Sequence, residues 1–261
     1  MNILHTASVD ALISRYPCFQ GMKDMAIWEY ETESLHDYFD GKREDAPKTT
    51  KYRWDVPRLP FFNHLSQVSV LPVMFIGKTG YGKSSLINRI IGHDVFKTDD
   101  VSACTKEIDA AFFRLGTDPN YYLSLSDLPG IGESKTADQH YLEWYADLLK
   151  LSPCVVYVLR ADQRDWTLDE QVFNQFFADE DEREKVIIAL NFADKIEPIS
   201  RNGHLSEKQL EAIECKVDLI CSFFDVPSYR VIPCCAITGY GVDELLVEVT
   251  DNLEQCVFEL T

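Results

Sequence analysis

The sequence predicts an α/β fold, with a mostly parallel sheet, one antiparallel edge strand and helices on both faces. Three observations support this prediction. From Leu71 onward, apolar runs of strand length alternate with segments of helical periodicity. A glycine-rich loop joins the first such strand to the first such helix. The chain has 261 residues and is 46% hydrophobic, which is enough for one large core.

The first part of the chain does not follow the alternation. Residues 1–68 are therefore expected to be a mainly helical extension and connector, and residues 69–261 the domain proper. Apolar spacing in 8–16 predicts a short helix there. A second helix is expected within 24–45, where the aromatic side chains either pack on the domain or form a partner surface. Three prolines mark 46–60 as a connector.

Each element of the domain is predicted from its own pattern. The expected strands are Val70–Ile76, Lys106–Leu115, Tyr121–Ser126, Cys154–Leu159, Val186–Leu190 and Tyr229–Cys234. The expected helices are Ser84–Ile91, Ala137–Leu151, Thr167–Ala178, Ser206–Phe224 and Val242–Phe258. A turn at 116–120 makes the second and third strands a hairpin, which gives the antiparallel edge. Thr167 and Ser206 are expected to cap their helices, and the charged run 179–184 to be a solvated loop.

Composition excludes several classes of protein. The net charge is −18, which disfavours nonspecific binding to nucleic acid or to anionic membranes. No apolar run approaches the roughly 18–20 residues of a membrane span, and no signal peptide is evident. The eight cysteines are scattered without a C-x-x-C pair. Buried free thiols in a reducing cytoplasm explain them best, so a cytoplasmic location is expected.

The stretch Gly77–Ser84 fits the phosphate-binding pattern G-x-x-x-x-G-K-S/T and lies between a strand and a helix, as that pattern requires. Its glycines let backbone N–H groups surround phosphate oxygens, and the helix N-terminus adds partial positive charge. Lys83 is expected to reach the β and γ phosphates, and the Ser84 hydroxyl to hold Mg²⁺. The expected nucleotide-binding residues here are Gly77, Thr79, Gly80, Tyr81, Gly82, Lys83, Ser84 and Ser85.

Two further motifs follow strands and select among nucleotide-binding proteins. Asp127-Leu-Pro-Gly130 places a carboxylate that can reach the Mg²⁺ shell through water, and a glycine whose N–H can meet the γ-phosphate. Asn191-Phe-Ala-Asp194-Lys195 places a carboxylate that can accept two parallel hydrogen bonds from guanine, a pair that adenine does not present. Asn191 is expected to brace the loops, and Lys195 belongs to the same base-binding segment.

A third segment follows the last predicted strand. In Cys235-Ala236-Ile237-Thr238-Gly239, the Ala236 N–H is expected to contact the guanine carbonyl oxygen, with Ile237 beside it. This segment carries weight only because it follows the other motifs in order.

The ordered motifs resemble those of the Era-like small GTPases of the translation-factor-related class, over about residues 69–258. Residues 79–88 are also similar to the phosphate loops of septins and immunity-related GTPases, and 160–170 resembles a little-characterised bacterial branch of the Era-like group. The resemblance implies a P-loop G domain with GTP or GDP as ligand and Mg²⁺ as cofactor. No RNA-binding KH module follows the last helix, so the ribosomal RNA role of Era is not transferred.

The resemblance also implies switch residues. Thr105 is the expected switch I threonine, closing on Mg²⁺ and γ-phosphate only with GTP bound, and Thr98 is the alternative. Switch II would run from Asp127 to about Asp138. The catalytic candidates are thus Lys83, Thr105 and Gly130, and the metal ligands Ser84, Thr105 and Asp127.

Two positions depart from the family pattern. Phe192 stands where the base motif usually has lysine, so a ring can stack there but supplies no charge. Ile131 stands where Ras-like proteins have the glutamine that orients the attacking water. Slow intrinsic hydrolysis is therefore expected, raised by a partner or by self-association. Arg160 or Arg164 would be either an arginine finger or part of a structural ion pair.

The sequence as a whole predicts a GTP-binding switch that hydrolyses GTP to GDP and phosphate. The expected partners are a guanine nucleotide and an unknown protein effector, reached through residues 1–68 or the switch loops. A nucleotide-dependent homodimer is a further expectation. The alternative function is a nucleotide-dependent scaffold with negligible turnover, favoured by Ile131 and Phe192. An ATP-using phosphotransferase is disfavoured by the Asn191–Asp194 motif.

Overall fold

A computed structural model describes residues 2–24, 53–54, 68–98, 107–115, 121–132, 135–149, 152–199 and 204–258. These residues form one sheet surrounded by helices. The strands are β1 (Asn2–Ser8), β2 (Arg53–Trp54), β3 (Val68–Ile76), β4 (Asp109–Arg114), β5 (Tyr121–Asp127), β6 (Cys154–Arg160), β7 (Val186–Asn191) and β8 (Val231–Pro233).

Most of the helices lie in the segments that connect one strand to the next. They are α1 (Asp10–Ile13), α2 (Gln20–Asp24), α3 (Lys83–Ile91), α4 (Lys135–Leu148), α5 (Thr167–Phe176), α6 (Glu180–Glu184), α7 (Glu207–Phe224) and α8 (Val242–Phe258). Helix α3 packs on β5, α7 on β8, and α8 on β6 and β7. None of the helices in the described ranges is long and apolar enough to cross a membrane.

The strand order is β1-β4-β5-β3-β6-β7-β8, with β2 paired to the start of β3. All neighbours along this order are parallel except β4 and β5. The predicted mostly parallel α/β sheet is therefore confirmed. Parallel pairing brings the carboxyl ends of β3, β5, β6 and β7 to one edge, since Phe75 lies opposite Asp127 and Arg160 opposite Asn191. Ligands of open α/β sheets bind at this edge.

One feature of the predicted sheet differs, because β4 does not lie at its edge. Strand β1 pairs with β4 in parallel, from Asn2 opposite Asp109 to Ser8 opposite Arg114. This strand comes from the segment expected to be a mainly helical extension. Its short polar sequence has no clear alternation, and its conformation depends on the free side of β4, a contact distant in sequence. Phe19 and Met22, in the same segment, are fully buried in the common core.

Three local predictions also differ from the structure: the cap of α5, the charged run 179–184 and the length of the last strand. Thr167 does not cap α5; instead, its N–H and hydroxyl both donate to Asp165 Oδ1, at 3.0 and 2.7 Å. The Ser206 cap is confirmed, because its hydroxyl accepts the Gln209 N–H. The charged run forms the short exposed helix α6 rather than a loop. Strand β8 has only three residues, because 228–230 form a 3₁₀ turn.

Several predictions fall outside the described residues. These are the second helix within 24–45, the greater part of the connector 46–60, the hairpin turn 116–120 and Thr105. They stay predictions, as does the domain division at residue 69.

Candidate functional site

The phosphate-loop segment lies between β3 and α3, as the sequence predicts. Gly82 precedes the first residue of α3 with φ 83°, and a Cβ there would lie 2.5 Å from Asn191 Nδ2, so no other residue fits without movement. Lys83 opens the helix and is 6% exposed. Its ammonium donates to the Gly77 and Lys78 carbonyls, each at 3.2 Å. The lysine thus lies folded across the loop, where it can meet an incoming anion.

Ser84 and Asp127 face each other at the carboxyl edge of the sheet. The Ser84 hydroxyl donates to Asp127 Oδ2 at 2.5 Å, and Asp127 is fully buried at the end of β5. Neighbouring parallel strands β3 and β5 end together, which brings the helix after one strand to the carboxylate of the other. A hydroxyl and a carboxylate are hard oxygen donors, so this pair fits Mg²⁺ better than a softer metal.

The loop after Asp127 is bonded directly to the phosphate loop. The Thr79 N–H donates to the Ile131 carbonyl at 2.9 Å, and the Ile131 N–H donates to the Gly77 carbonyl at 3.3 Å. Gly130 packs so closely that a Cβ would lie 2.5 Å from the Thr79 nitrogen. The Tyr145 hydroxyl of α4 donates to the Pro129 carbonyl at 2.9 Å and holds the loop from behind. The two predicted phosphate-facing segments therefore form one packed unit.

Asn191 joins two other loops at the end of β7. Its side-chain nitrogen donates to the Tyr81 carbonyl at 3.1 Å, and its side-chain oxygen accepts the Ala236 N–H at 3.1 Å. Asn191 is 1% exposed, so this link is shielded from water. One amide thus fixes the segment after β8 relative to the phosphate loop.

Asp194 lies in a 3₁₀ turn, Ala193–Lys195, directly after β7. Its carboxylate accepts the Cys235 thiol at 3.2 Å and pairs with the Lys195 ammonium at 3.1 Å. The turn is held from below by buried Gln209, whose amide donates to the carbonyls of Asp194 and Ile196. Cys235 and Lys195 therefore hold the carboxylate and Gln209 holds its backbone, while the carboxylate remains 26% exposed.

A buried ion pair ties the phosphate loop to α5. The Lys78 ammonium lies 2.7 Å from Asp169 Oδ2, which also accepts the Tyr81 hydroxyl at 3.4 Å. Burial raises the pKa of Asp169, and the bonds from Lys78 and Tyr81 offset only part of that rise. Burial is the largest single effect on the pKa of Lys78 and would lower it, but the hydrogen bonds and charge interactions with Asp169 and Tyr81 together outweigh burial and raise that pKa. The pair therefore keeps the lysine charged within the loop.

A cleft of about 360 Å³ opens beside these loops. It brings together the predicted residues Ser85, Ala236 and Ile237, and Thr98 also lines it. Arg15, from the N-terminal segment, forms part of its wall. Ile237 is 78% exposed and stands at its rim.

The predicted site residues of the described ranges thus cluster at one edge of the sheet. Sequence reasoning missed several that support them. Cys235 and Gln209 hold Asp194, and Asp169 and Tyr145 hold the phosphate loop and the loop after Asp127. Their roles were missed because each reaches its partner through the fold rather than through the chain.

The chain is similar to several known proteins. Residues 72–192 match the family described as 50S ribosome-binding GTPase. The uncharacterized protein YkfA of Escherichia coli K12 is 37% identical over 189 residues, which cover 70% of this chain and 63% of YkfA. The chain therefore spans less than two thirds of that relative's length.

Two solved structures share the fold. A variant of Aquifex aeolicus Era bound to GDP·AlF4⁻ is 21% identical with a TM-score of 0.55, covering 70% of this chain and 56% of Era. Toc33 of Arabidopsis thaliana, in complex with GDP and Mg²⁺, is 21% identical with a TM-score of 0.51, covering 71% and 85%. Residues 72–192 are therefore similar to a GTPase family, and the likeness to the solved structures shows that the chain shares their fold.

Proposed function

We propose that this protein binds GTP and GDP with Mg²⁺ and hydrolyses GTP to GDP and phosphate as a molecular switch. The observation that carries the proposal is the pair of hydrogen bonds from Asn191 to the Tyr81 carbonyl and from the Ala236 N–H. They join the segment that would hold the phosphates to those that would hold a base. A nucleotide has both phosphates and a base, so binding of one nucleotide explains why these loops are fixed together.

Each part of the site has a role in this proposal. Lys83 and the N-terminus of α3 would bind the β and γ phosphates, and Ser84 and Asp127 would hold the metal. When bound, Mg²⁺ would neutralise charge that develops on phosphate oxygens. Asp194 would accept two hydrogen bonds from guanine, displacing or sharing those from Cys235 and Lys195. The roles of Gly130 at the γ-phosphate, and of Thr105 as the closing threonine, stay proposals.

Hydrolysis is expected to be slow without help. Ile131 is 1% exposed, has no polar side-chain atom and is bonded to the phosphate loop through its backbone, so it cannot orient a water. A partner or a second copy of the chain would supply the group that orients the attacking water. Dimerisation is important for the GTPase activity of the chloroplast translocon components atToc33 and psToc159, and we extend that behaviour to this chain as a proposal. An effector would contact the switch loops or residues 1–68.

The second candidate function is a scaffold that binds GTP or GDP with negligible turnover. The same buried position of Ile131 favours it, because residues 128–132, directly after Asp127, carry no polar side chain that could orient a water. Single-turnover hydrolysis at increasing protein concentration separates the two functions. A rate that rises with concentration supports the switch, and an undetectable rate at every concentration supports the scaffold.

The proposal is tested by calorimetric titration of nucleotide-free protein with GDP and with ADP, both with Mg²⁺. We expect GDP to bind at micromolar concentration or below and ADP not to bind, because Asp194 matches only guanine. Lys83→Ala should abolish GDP binding, while its urea midpoint reports whether the fold survives.

Asp194→Asn should shift preference toward xanthine nucleotides, whose exocyclic oxygen accepts where guanine donates. Equal binding of GDP and ADP by the wild-type protein would contradict the base-reading role. Intact GDP binding by a folded Lys83→Ala protein would show that the phosphate site lies elsewhere.

A further inference from the structure

Phe192 adopts a backbone conformation that is unfavourable for a bulky residue. Its φ of 62° and ψ of 32° lie in the left-handed region, and Asp225 is the only other non-glycine residue with positive φ in the described ranges. Such a conformation persists where neighbouring contacts impose it. The ring is held close to the phosphate loop, since a Cβ on Gly82 would lie 3.2 Å from its edge carbon Cε2.

Arg160 covers the Phe192 ring from the end of β6. The guanidinium carbon lies 4.2 Å from the ring centroid, within the range of a cation–π contact. From the same guanidinium, Nη1 donates to the Gly80 carbonyl of the phosphate loop at 3.5 Å. One side chain therefore touches both the base-binding segment and the phosphate loop.

Asp162 binds the two other nitrogens of the Arg160 guanidinium. Its two carboxylate oxygens accept hydrogen bonds from Arg160 Nε and Nη2 at 2.9 and 2.8 Å. Both side chains are a little over one quarter exposed, so this ion pair is only partly screened by water. The arginine is thus oriented within its own chain, with its planar face on Phe192 and one edge on Gly80.

We propose that Arg160 and Phe192 act as one positioning unit for the guanine nucleotide, in which the arginine supplies the charge that the phenylalanine lacks. Arg160 is a positioning residue here: it sets the Phe192 ring beside the base and steadies the Gly80 carbonyl beside the phosphates. The unit rests on the proposed function, since it positions the same nucleotide. It also assigns Arg160 to its own site rather than to that of a neighbouring molecule.

The test measures GDP affinity of the full chain by calorimetry with Mg²⁺, for Arg160→Met, Phe192→Leu and the double variant. The energy of a cation–π contact corresponds to about a 2- to 30-fold change in an equilibrium constant, which bounds the loss of GDP affinity expected here. We expect the GDP affinity of each single variant to fall within this range below that of the wild type. The double variant should bind GDP no more weakly than the single variant with the lower affinity. Preference for GDP over ADP should remain, because Asp194 is untouched.

Arg164→Met is the matched control, because Arg164 is exposed and lies four residues further along the chain, in the loop after β6. We expect it to bind GDP within about twofold of the wild type, by the usual effect of surface substitutions. Arg160→Lys should recover part of the lost affinity, since it keeps the charge but not the planar face. Urea midpoints of all variants separate loss of positioning from loss of fold.

The outcomes distinguish this inference from the proposed function. If wild-type protein prefers GDP but folded Arg160→Met binds it within twofold, the positioning unit is wrong and the proposed function stands. If the two single losses multiply in the double variant, the residues act separately, which also overturns the unit. If wild-type protein binds no guanine nucleotide, the proposed function fails, and the inference fails with it.

Discussion

The ion pair between Asp162 and Arg160 shifts the pKa values of both side chains. The hydrogen bonds of Asp162 with Arg160 lower the pKa of the carboxyl below its ordinary value and raise the pKa of the guanidinium. Both groups therefore stay charged through the neutral range. A carboxyl with a lowered pKa stabilises the fold above its unfolded-state pKa, and this contribution disappears as the pH falls through the folded-state value.

Asp162→Asn should therefore lower the free energy of unfolding at neutral pH by about 0.5–1 kcal/mol, the usual value for a partly exposed ion pair. The difference from wild type should persist down to about pH 4, near the unfolded pKa of aspartate, and shrink below it. Urea unfolding at about pH 7 and about pH 3.5 measures both values. A difference that grows on acidification would contradict the assignment, and Glu211→Gln, at an exposed position on α7, is the control.

At the scale of elements, the loop after β5 and the loop after β3 are joined by backbone hydrogen bonds. The two backbone hydrogen bonds between Ile131 and the phosphate loop resemble a short parallel ladder, and Lys78 and Ile131 form an isolated bridge. Gly130 is the contact point, because any side chain there would meet Thr79. We therefore expect movement of one loop to be transmitted to the other through backbone groups.

Gly130→Ala should separate these loops. Its methyl group would overlap the Thr79 nitrogen, so we expect a loss of about 1–3 kcal/mol in unfolding free energy and faster hydrogen exchange at the Thr79 amide. Gly132→Asn is the control for exchange at Thr79, because nothing lies within 3.4 Å of a Cβ there, although its φ of 90° makes the substitution itself costly in unfolding free energy. Unchanged exchange at Thr79 in Gly130→Ala would show that the loops are not coupled through this contact.

At the scale of the whole molecule, the described N-terminal residues belong to the domain core. Val9, Leu12, Phe19 and Met22 are each at most 1% exposed and lie in the same cluster as the central strands. The Arg15 and Tyr16 side chains donate to the Arg89 carbonyl near the end of α3, both at 3.3 Å. Residues 2–24 therefore support the helix that follows the phosphate loop.

Phe19→Ala should cost about 3–5 kcal/mol in unfolding free energy, as expected for a fully buried aromatic side chain. The loss should appear in a single urea transition, because the segment shares the core. Leu4→Ala, at a position 40% exposed in the same segment, should cost far less. A separate early transition for Phe19→Ala, with the main transition unchanged, would indicate an independently folding extension.

The sequence predicted what depends on neighbours along the chain and missed what depends on contacts across the fold. The strand, glycine loop and helix around Lys83, and the turns carrying Asp127 and Asp194, follow from local patterns, and the α/β fold follows from their alternation. Strand β1 was missed because β4, more than 100 residues away in sequence, determines it. Burial of Asp169 was missed because an acidic residue in the first turn of a helix is usually solvated.

The pairing of β1 with β4 has a consequence for how copies of this protein could associate. Exposed strand edges are where sheets of separate molecules merge, through backbone hydrogen bonds that need no particular side chains. Here the outer side of β4 is already paired with β1 from Asn2 to Ser8. A second molecule cannot extend the sheet at β4 unless β1 leaves, so edge-to-edge pairing on this side would have to occur at β1, the last strand of the order.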